Sequence, residues 1–176
     1  MKKTFKKLMA ALLAVALLCA MAVPAFAAEG ASGTITIDKA INGETYTAYK
    51  IFNVVSSKTE TDGSTTYVYK VADGWADFFT DNIVKNYVSV DTHGQPTWVE
   101  SKESVADLQA FAKLALDYAS KTTTITGKTA TASGGEAVIS GLTAGYYVVS
   151  TTAGSLCILN TNGSDLKIDE KNVAPT

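Results

Sequence analysis

Two side chains that could be joined by a new covalent bond lie near the ends of the predicted domain. Lys39 follows the first predicted strand, and Asn172 follows the last one. These two strands can be neighbours in a β-sandwich. A buried lysine amine can attack an asparagine carboxamide, releasing ammonia and leaving an amide crosslink. The reaction needs a neutral amine, which burial favours by lowering the pKa, and a protonated carboxylic acid that polarises the amide. The alternative is that Lys39 is a solvated turn residue.

Other kinds of chemistry have little support in the sequence. His93 is the single histidine and lies in a turn-like stretch, so we expect it to be an exposed loop residue. Asp81, Asp91 and Glu100 are scattered without the spacing of a calcium loop. We therefore predict no metal site, no cofactor and no enzymatic activity. A hydrolase that uses a carboxylate pair stays open as an alternative, because such pairs meet only in space.

The N-terminal segment has the three parts of a secretory signal peptide. A lysine-rich start precedes an apolar run at 8–23, and the sequence Ala-Phe-Ala ends at Ala27. We predict a signal peptide at 1–27, with cleavage between Ala27 and Ala28, and therefore an exported protein. The alternative, a membrane-spanning helix, is disfavoured because Pro24 and the cleavage pattern follow the apolar run directly.

The charge of the chain limits the kinds of partner it can bind, and its cysteine content indicates whether a thiol is structural. Four of the 15 basic residues lie in the signal segment, which leaves eleven lysines against 17 acidic residues and a net charge near −6. The sequence contains no arginine, so we expect no nucleic-acid partner. Cys157 is the one cysteine beyond the signal segment, and its apolar neighbours predict a buried structural thiol.

Alternation of apolar and polar residues predicts strands on both sides of a middle segment. β-Branched and aromatic residues are frequent, and glycines or Asn-Gly pairs separate the runs. We expect the first three strands to form a β-meander. The predicted strands are 33–38, 44–56, 65–72, 122–127, 135–140, 145–152, 155–160 and 165–169.

The middle segment has helical periodicity. Four apolar residues between 75 and 83 recur at helical spacing. The clearest helix lies near 104–120, where Ser104 can cap the first turn with Asp107 as the capping-box acid, and an apolar stripe starts at Val105. We therefore predict a mainly β protein, an antiparallel β-sandwich with an inserted helical segment.

Three stretches resemble the N-terminal domain of Gram-positive major pilins, the sortase-assembled fimbrial subunits that form isopeptide bonds. They are GTITIDKAINGETYTAYKIFNV at 33–54, GLTAGYYVVSTTAGSLCILNTN at 141–162 and IDEKNVAPT at 168–176. The resemblance implies an immunoglobulin-like β-sandwich, often with helical insertions, followed by similar domains and a sorting signal. A pilin-specific sortase cleaves that signal and joins its threonine to a lysine in the first domain of the next subunit.

The resemblance also assigns candidate site residues. The family's acceptor lysine lies in a Tyr-Pro-Lys-Asn setting near the end of the first domain, and the stretch DEKN at 169–172 occupies the matching place here. Lys171 would accept the neighbouring subunit, and Asn172 would bond to Lys39. The glutamate that the family places after the Gly-Tyr turn is absent, and Glu136 is the nearest substitute as assisting acid.

The resemblance implies a domain at 28–172, with 173–176 as the start of a linker to a further domain. The expected function is that of a structural subunit, or its first domain, in a covalently assembled fimbria on a Gram-positive cell wall. Its partners would be other pilin subunits and a sortase. The alternative is an adhesive tip or ligand-binding β-sandwich that binds a host surface, with a recognition surface built from Tyr67, Tyr69, Trp75 and Trp98.

Overall fold

Alternating apolar residues in the described chain form ten strands, and the capped segment forms one α-helix. The structure is a computed structural model that describes residues 32–102, 104–151, 154–159 and 165–170. The helix is α1 (Val105–Lys121). The strands are β1 (Gly33–Asp38), β2 (Thr45–Thr59), β3 (Thr65–Val71), β4 (Val88–Val90), β5 (Pro96–Trp98), β6 (Lys128–Thr131), β7 (Glu136–Leu142), β8 (Gly145–Val149), β9 (Ser155–Leu159) and β10 (Leu166–Asp169).

The first and last strands lie side by side in a three-stranded sheet with the order β10-β1-β7. β1 pairs with β7 in the antiparallel direction and with β10 in the parallel direction. In the parallel pair Ile35 lies opposite Leu166, and Asp38 lies opposite Asp169. The strands before Lys39 and Asn172 are therefore neighbours, an arrangement that the sequence left possible.

The larger sheet has the order β3-β2-β8-β9, and β6 also pairs with β2. Ala48 pairs with both Lys128 and Val149, so β6 and β8 lie on opposite edges of β2. The register with β8 shifts between Lys50 and Phe52. This irregularity lets β2 send Tyr46 and Ala48 to one face of the sheet and both Ile51 and Phe52 to the other.

Apolar residues from the two sheets meet in a cluster that we call the inner core. It joins β1 and β7 of the smaller sheet to β2, β8 and β9 of the larger one. Cys157 is buried here, as the sequence predicted. The inner core consists of Ile35, Ile37, Ala40, Tyr46, Ala48, Ala132, Ala137, Ile139, Leu142, Tyr147, Val149 and Cys157.

A second cluster, the helix-side core, covers the other face of the larger sheet. Aromatic rings fill it, and Phe111 of α1 lies with its ring centroid 4.9 Å from that of Trp98. β8 separates the two clusters, and all five of its residues are buried. The helix-side core consists of Ile51, Phe52, Tyr69, Ala72, Trp75, Phe78, Phe79, Val84, Val88, Trp98, Phe111, Ala112, Ala115, Ala119, Ile125, Tyr146 and Val148.

The fold class is confirmed at the coarse level, as a mainly β chain with antiparallel sheets and one helix in the described residues. Two local expectations were wrong, the meander and the strand at 122–127, and the helical spacing near 75–83 was right only in part. β1 does not join β2 and β3 in a meander but belongs to the other sheet. The segment around residues 75–86 forms short 3₁₀ turns at Phe78–Thr80 and Val84–Asn86. Residues 122–127 form no strand, and β6 begins at Lys128.

Candidate functional site

The turn after β1 carries the first candidate, Lys39, in the left-handed backbone region with φ 61°. Its Nζ donates a hydrogen bond to Asp169 Oδ2 at 2.8 Å, and the two side chains are 71% and 58% exposed. The parallel register that sets Asp38 opposite Asp169 brings these groups together. A second ion pair, Lys167 Nζ to Asp38 Oδ1 at 3.7 Å, lies beside it.

The setting of Lys39 favours a charged amine. The hydrogen bond that Lys39 donates to Asp169, together with the negative charge of that carboxylate, raises the pKa of Lys39 above its ordinary value. Attack on a carboxamide needs the neutral amine, so the described surroundings of Lys39 oppose the reaction instead of promoting it. Asn172 and Lys171 lie outside the described residues, as do Ala27 and Ala28. The Lys39–Asn172 bond, the acceptor role of Lys171 and the cleavage site therefore stay predictions.

The acid that is buried near this end of the molecule is Glu170, not Glu136. Glu136 begins β7 at the surface, opposite Asp38. Glu170 is only 4% exposed, and its backbone N–H donates to the Asp38 carbonyl at 2.8 Å. The alternation along β10 was the available signal, because Leu166 and Ile168 face inward and Glu170 continues their side. The crosslink chemistry requires a buried carboxylic acid, and Glu170 is such an acid, two residues before Asn172 in the sequence.

Sequence reasoning also missed Lys50, which lies in the middle of β2. Its Nζ donates hydrogen bonds to Thr143 Oγ1 and to the Ala144 carbonyl, the latter at 3.1 Å. The amine lies 5.5 Å from the centroid of the Tyr147 ring, and Tyr147 pairs with Lys50 across the sheet. Burial lowers the pKa of Lys50 below its ordinary value. The missed signal was again alternation, since Lys50 follows the inward positions Tyr46 and Ala48.

The aromatic residues considered for a recognition surface belong mainly to the interior. Trp75, Trp98 and Tyr69 are buried in the helix-side core, and Tyr67 is half-buried beside Tyr69. Core packing accounts for these aromatic residues, because their large rings fill the space between the larger sheet and α1. His93 is exposed in the loop between β4 and β5, as expected. Within the described ranges, no three His, Cys, Asp or Glu side chains come together in a way that could hold a metal ion.

Comparison with known protein families finds no family model that matches the chain, and no curated protein matches it either. In the part of the chain that the structure describes, no helix is both long enough and apolar enough to cross a membrane.

Proposed function

We propose that this chain is a structural subunit, or the first domain of one, of a covalently assembled fimbria on the surface of a Gram-positive bacterium. The proposal includes an immunoglobulin-like arrangement of the sandwich, export through the signal at 1–27 and assembly by a pilin-specific sortase. The chain would then be the substrate of an enzyme and not an enzyme itself. The resemblance of its opening, Gly-Tyr and closing stretches to pilin first domains supports this proposal.

The observation that carries the proposal is the parallel pairing of the first and last strands. The chain enters β1 at Gly33 and leaves β10 at the opposite end of the same ladder, at Glu170. In a sortase-joined subunit the link at the C-terminal side loads the chain beyond β10, so tension there pulls β10 along the length of β1. The ladder's hydrogen bonds then share the load and must break together, whereas a ladder pulled open from one end loses its bonds one at a time. This geometry suits a domain that carries force within a polymer.

The described residues contain no disulfide, so a force-bearing domain would need another source of mechanical stability. Cys157 is a free, buried thiol. Two dense cores share the strand β8, and an amide crosslink would add a covalent restraint of the kind predicted for Lys39 and Asn172. The adhesive-tip alternative gains no support from the structure, because three of its four proposed recognition aromatics are buried.

The test is an immunoblot of cell-wall extracts from the bacterium that carries this gene. A shaft subunit should give a ladder of high-mass bands that survives boiling in detergent, because the subunits are joined by amide bonds. Deletion of the sortase genes should collapse the ladder to the monomer. A single monomeric band in the unmodified strain would contradict the shaft proposal and favour a tip protein or a free secreted product.

A further inference from the structure

Lys50 is held in place by its neighbours on the larger sheet. It lies opposite Tyr147 in the β2–β8 register, and its aliphatic chain passes beside Gly145. A Cβ at position 145 would come within 3.0 Å of Lys50 Cε and 2.7 Å of the Phe52 carbonyl oxygen. The absence of a side chain at Gly145 therefore makes room for the lysine to reach the loop at Thr143 and Ala144.

The hydrogen-bond acceptors of Lys50 are uncharged groups. Its Nζ donates to Thr143 Oγ1 and to the Ala144 carbonyl, and both of these acceptors are uncharged. A neutral amine has two N–H bonds and one lone pair, so these acceptors can engage both N–H bonds and leave the lone pair free. The described residues provide no carboxylate within ion-pair distance of this nitrogen. The third N–H of the charged form is left to solvent and to the face of the Tyr147 ring, 5.5 Å away.

The amine is sheltered but not sealed inside the protein. Lys50 is half-buried, and Thr143, which holds it, is exposed. Burial lowers the pKa of Lys50, whereas Asp169 raises that of Lys39. The titratable group that faces Lys50 from β8 is Tyr147, whose own pKa burial raises to about 12, so the phenol stays neutral near neutral pH. Desolvation without a carboxylate partner is a recognised way to make a lysine nucleophilic.

We propose that Lys50 is the amine that accepts the carboxyl end of the neighbouring subunit. This inference rests on the proposed function, because it names the acceptor in that assembly. The acyl donor is a thioester between another subunit's C-terminal carboxyl group and a cysteine of the transpeptidase. Nζ of Lys50 attacks the thioester carbon, a C–N bond forms, and the C–S bond breaks. The departing sulfur takes up the proton that the nitrogen loses, so no oxidant or reductant is needed.

The first test is a substitution that removes the amine but keeps a long basic side chain. Lys50→Arg should abolish the high-mass ladder in cell-wall extracts. Lys58→Arg is the matched control, because Lys58 lies on the same strand, is exposed and pairs with Glu60, and its ladder should be unchanged. Secreted monomer of both variants should melt within a few degrees of the original protein. A full ladder from Lys50→Arg would overturn the assignment while leaving the proposed function intact.

A direct readout needs no variant. Proteolytic digestion of the unmodified polymer should yield a branched peptide in which Lys50 carries the C-terminal residues of another subunit. A branch at Lys171 or at any other lysine would overturn the inference.

A third measurement is independent of the polymer. Purified protein treated with a limiting amount of phenyl thioacetate should be acetylated at Lys50 at a lower pH than at Lys39. Thr143→Ala, which removes one of the two acceptors that orient the amine, should reduce acetylation of Lys50 and leave that of Lys39 unchanged. Equal pH profiles for the two lysines would overturn the assignment of Lys50 as an activated amine. If the unmodified strain gives no ladder, the proposed function fails, and the acetylation profile still decides whether Lys50 is activated.

Discussion

Lys39 and Lys50 show how two settings change the same side chain. Lys39 lies at an exposed turn and gains a carboxylate partner, so its pKa rises. Lys50 is half-buried and gains only neutral acceptors, so its pKa falls. In the sequence, Lys39 follows a strand and Lys50 lies within one. The alternation of inward and outward residues is the one signal that distinguishes them, since Lys50 lies on the same side of its strand as Tyr46 and Ala48. Chemistry that needs a neutral amine therefore points to the lysine that motif reasoning passed over.

Cys157 predicts a loss of stability in mildly alkaline solution. Burial raises the pKa of its thiol from the ordinary value of about 9 to about 12. Between these values the unfolded chain releases the thiol proton and the folded protein keeps it. The folded state then binds more protons, so the free energy of unfolding falls as the pH rises. Urea titrations should show a fall approaching about 1.4 kcal/mol per pH unit above pH ~9.

The control for this prediction is Cys157→Ala, measured in the same reducing buffer. The variant should lose most of the slope between pH ~9 and ~10. Above that range the buried phenols of Tyr69 and Tyr147, whose pKa values are raised to about 12, should steepen the fall in both proteins. An equal slope in the variant below pH ~10 would show that another group is responsible.

At the scale of elements, α1 is the part that the sequence predicted most completely. Ser104 caps the helix, as its Oγ accepts a hydrogen bond from the Asp107 N–H at 3.1 Å, and Asp107 in turn accepts one from the Ser104 hydroxyl. These bonds lie within four residues of each other, so local sequence is sufficient to specify them. The buried side of the helix depends on tertiary packing, and Val105 at the start of the predicted apolar stripe is 55% exposed.

Ser104→Ala should destabilise the protein by about 1 kcal/mol, because the Asp107 N–H loses its acceptor and Asp107 loses a donor. The measurement is the midpoint of urea unfolding followed by far-UV circular dichroism. Ser101→Ala is the matched control, since this exposed serine precedes the helix and has no hydrogen bond from its side chain to any described residue. A Ser104→Ala protein as stable as the Ser101→Ala protein would contradict the capping role.

The failed strand at 122–127 shows where local propensity stops being informative. Its threonines and isoleucine favour a strand. In the structure, however, Thr122 caps the end of α1 by donating its backbone N–H to Ala119, and the N–H of Ile125 turns back to Thr122. Ile125 is then buried in the helix-side core, and Gly127 lies against Thr47 and Tyr49 with no room for a Cβ. These contacts with distant residues override the local preference.

At the scale of the whole molecule, the sequence predicted strands but not the sheet that each joins. Sequential strands usually pair, so the Asn-Gly turn at 42–43 suggested a hairpin between β1 and β2. In the structure this turn connects two sheets. Ile35 and Ile37 then face Tyr46 and Ala48 across the inner core. The same alternating pattern satisfies either arrangement, so it cannot distinguish a meander from a crossing between sheets.

The two cores should unfold as one unit, because β8 contributes residues to both. Ile139→Ala removes a fully buried side chain from the inner core and should lower the free energy of unfolding by about 2 to 5 kcal/mol. Trp75 and Trp98 report on the helix-side core and are not part of the cluster that contains Ile139. We nevertheless expect their fluorescence transition in urea to shift as far as the far-UV circular dichroism transition does.

The matched control is Val138→Ala, a change at the adjacent residue, which is 45% exposed, and it should alter stability by no more than about 0.5 kcal/mol. If Ile139→Ala shifted the dichroism midpoint but left the tryptophan midpoint in place, the cores would be separate cooperative units. Tension would then only have to detach the β10-β1-β7 sheet from the larger sheet. A force-bearing subunit instead requires that load applied at β10 be resisted by both cores through β8, and coincident transitions are the equilibrium signature of that coupling.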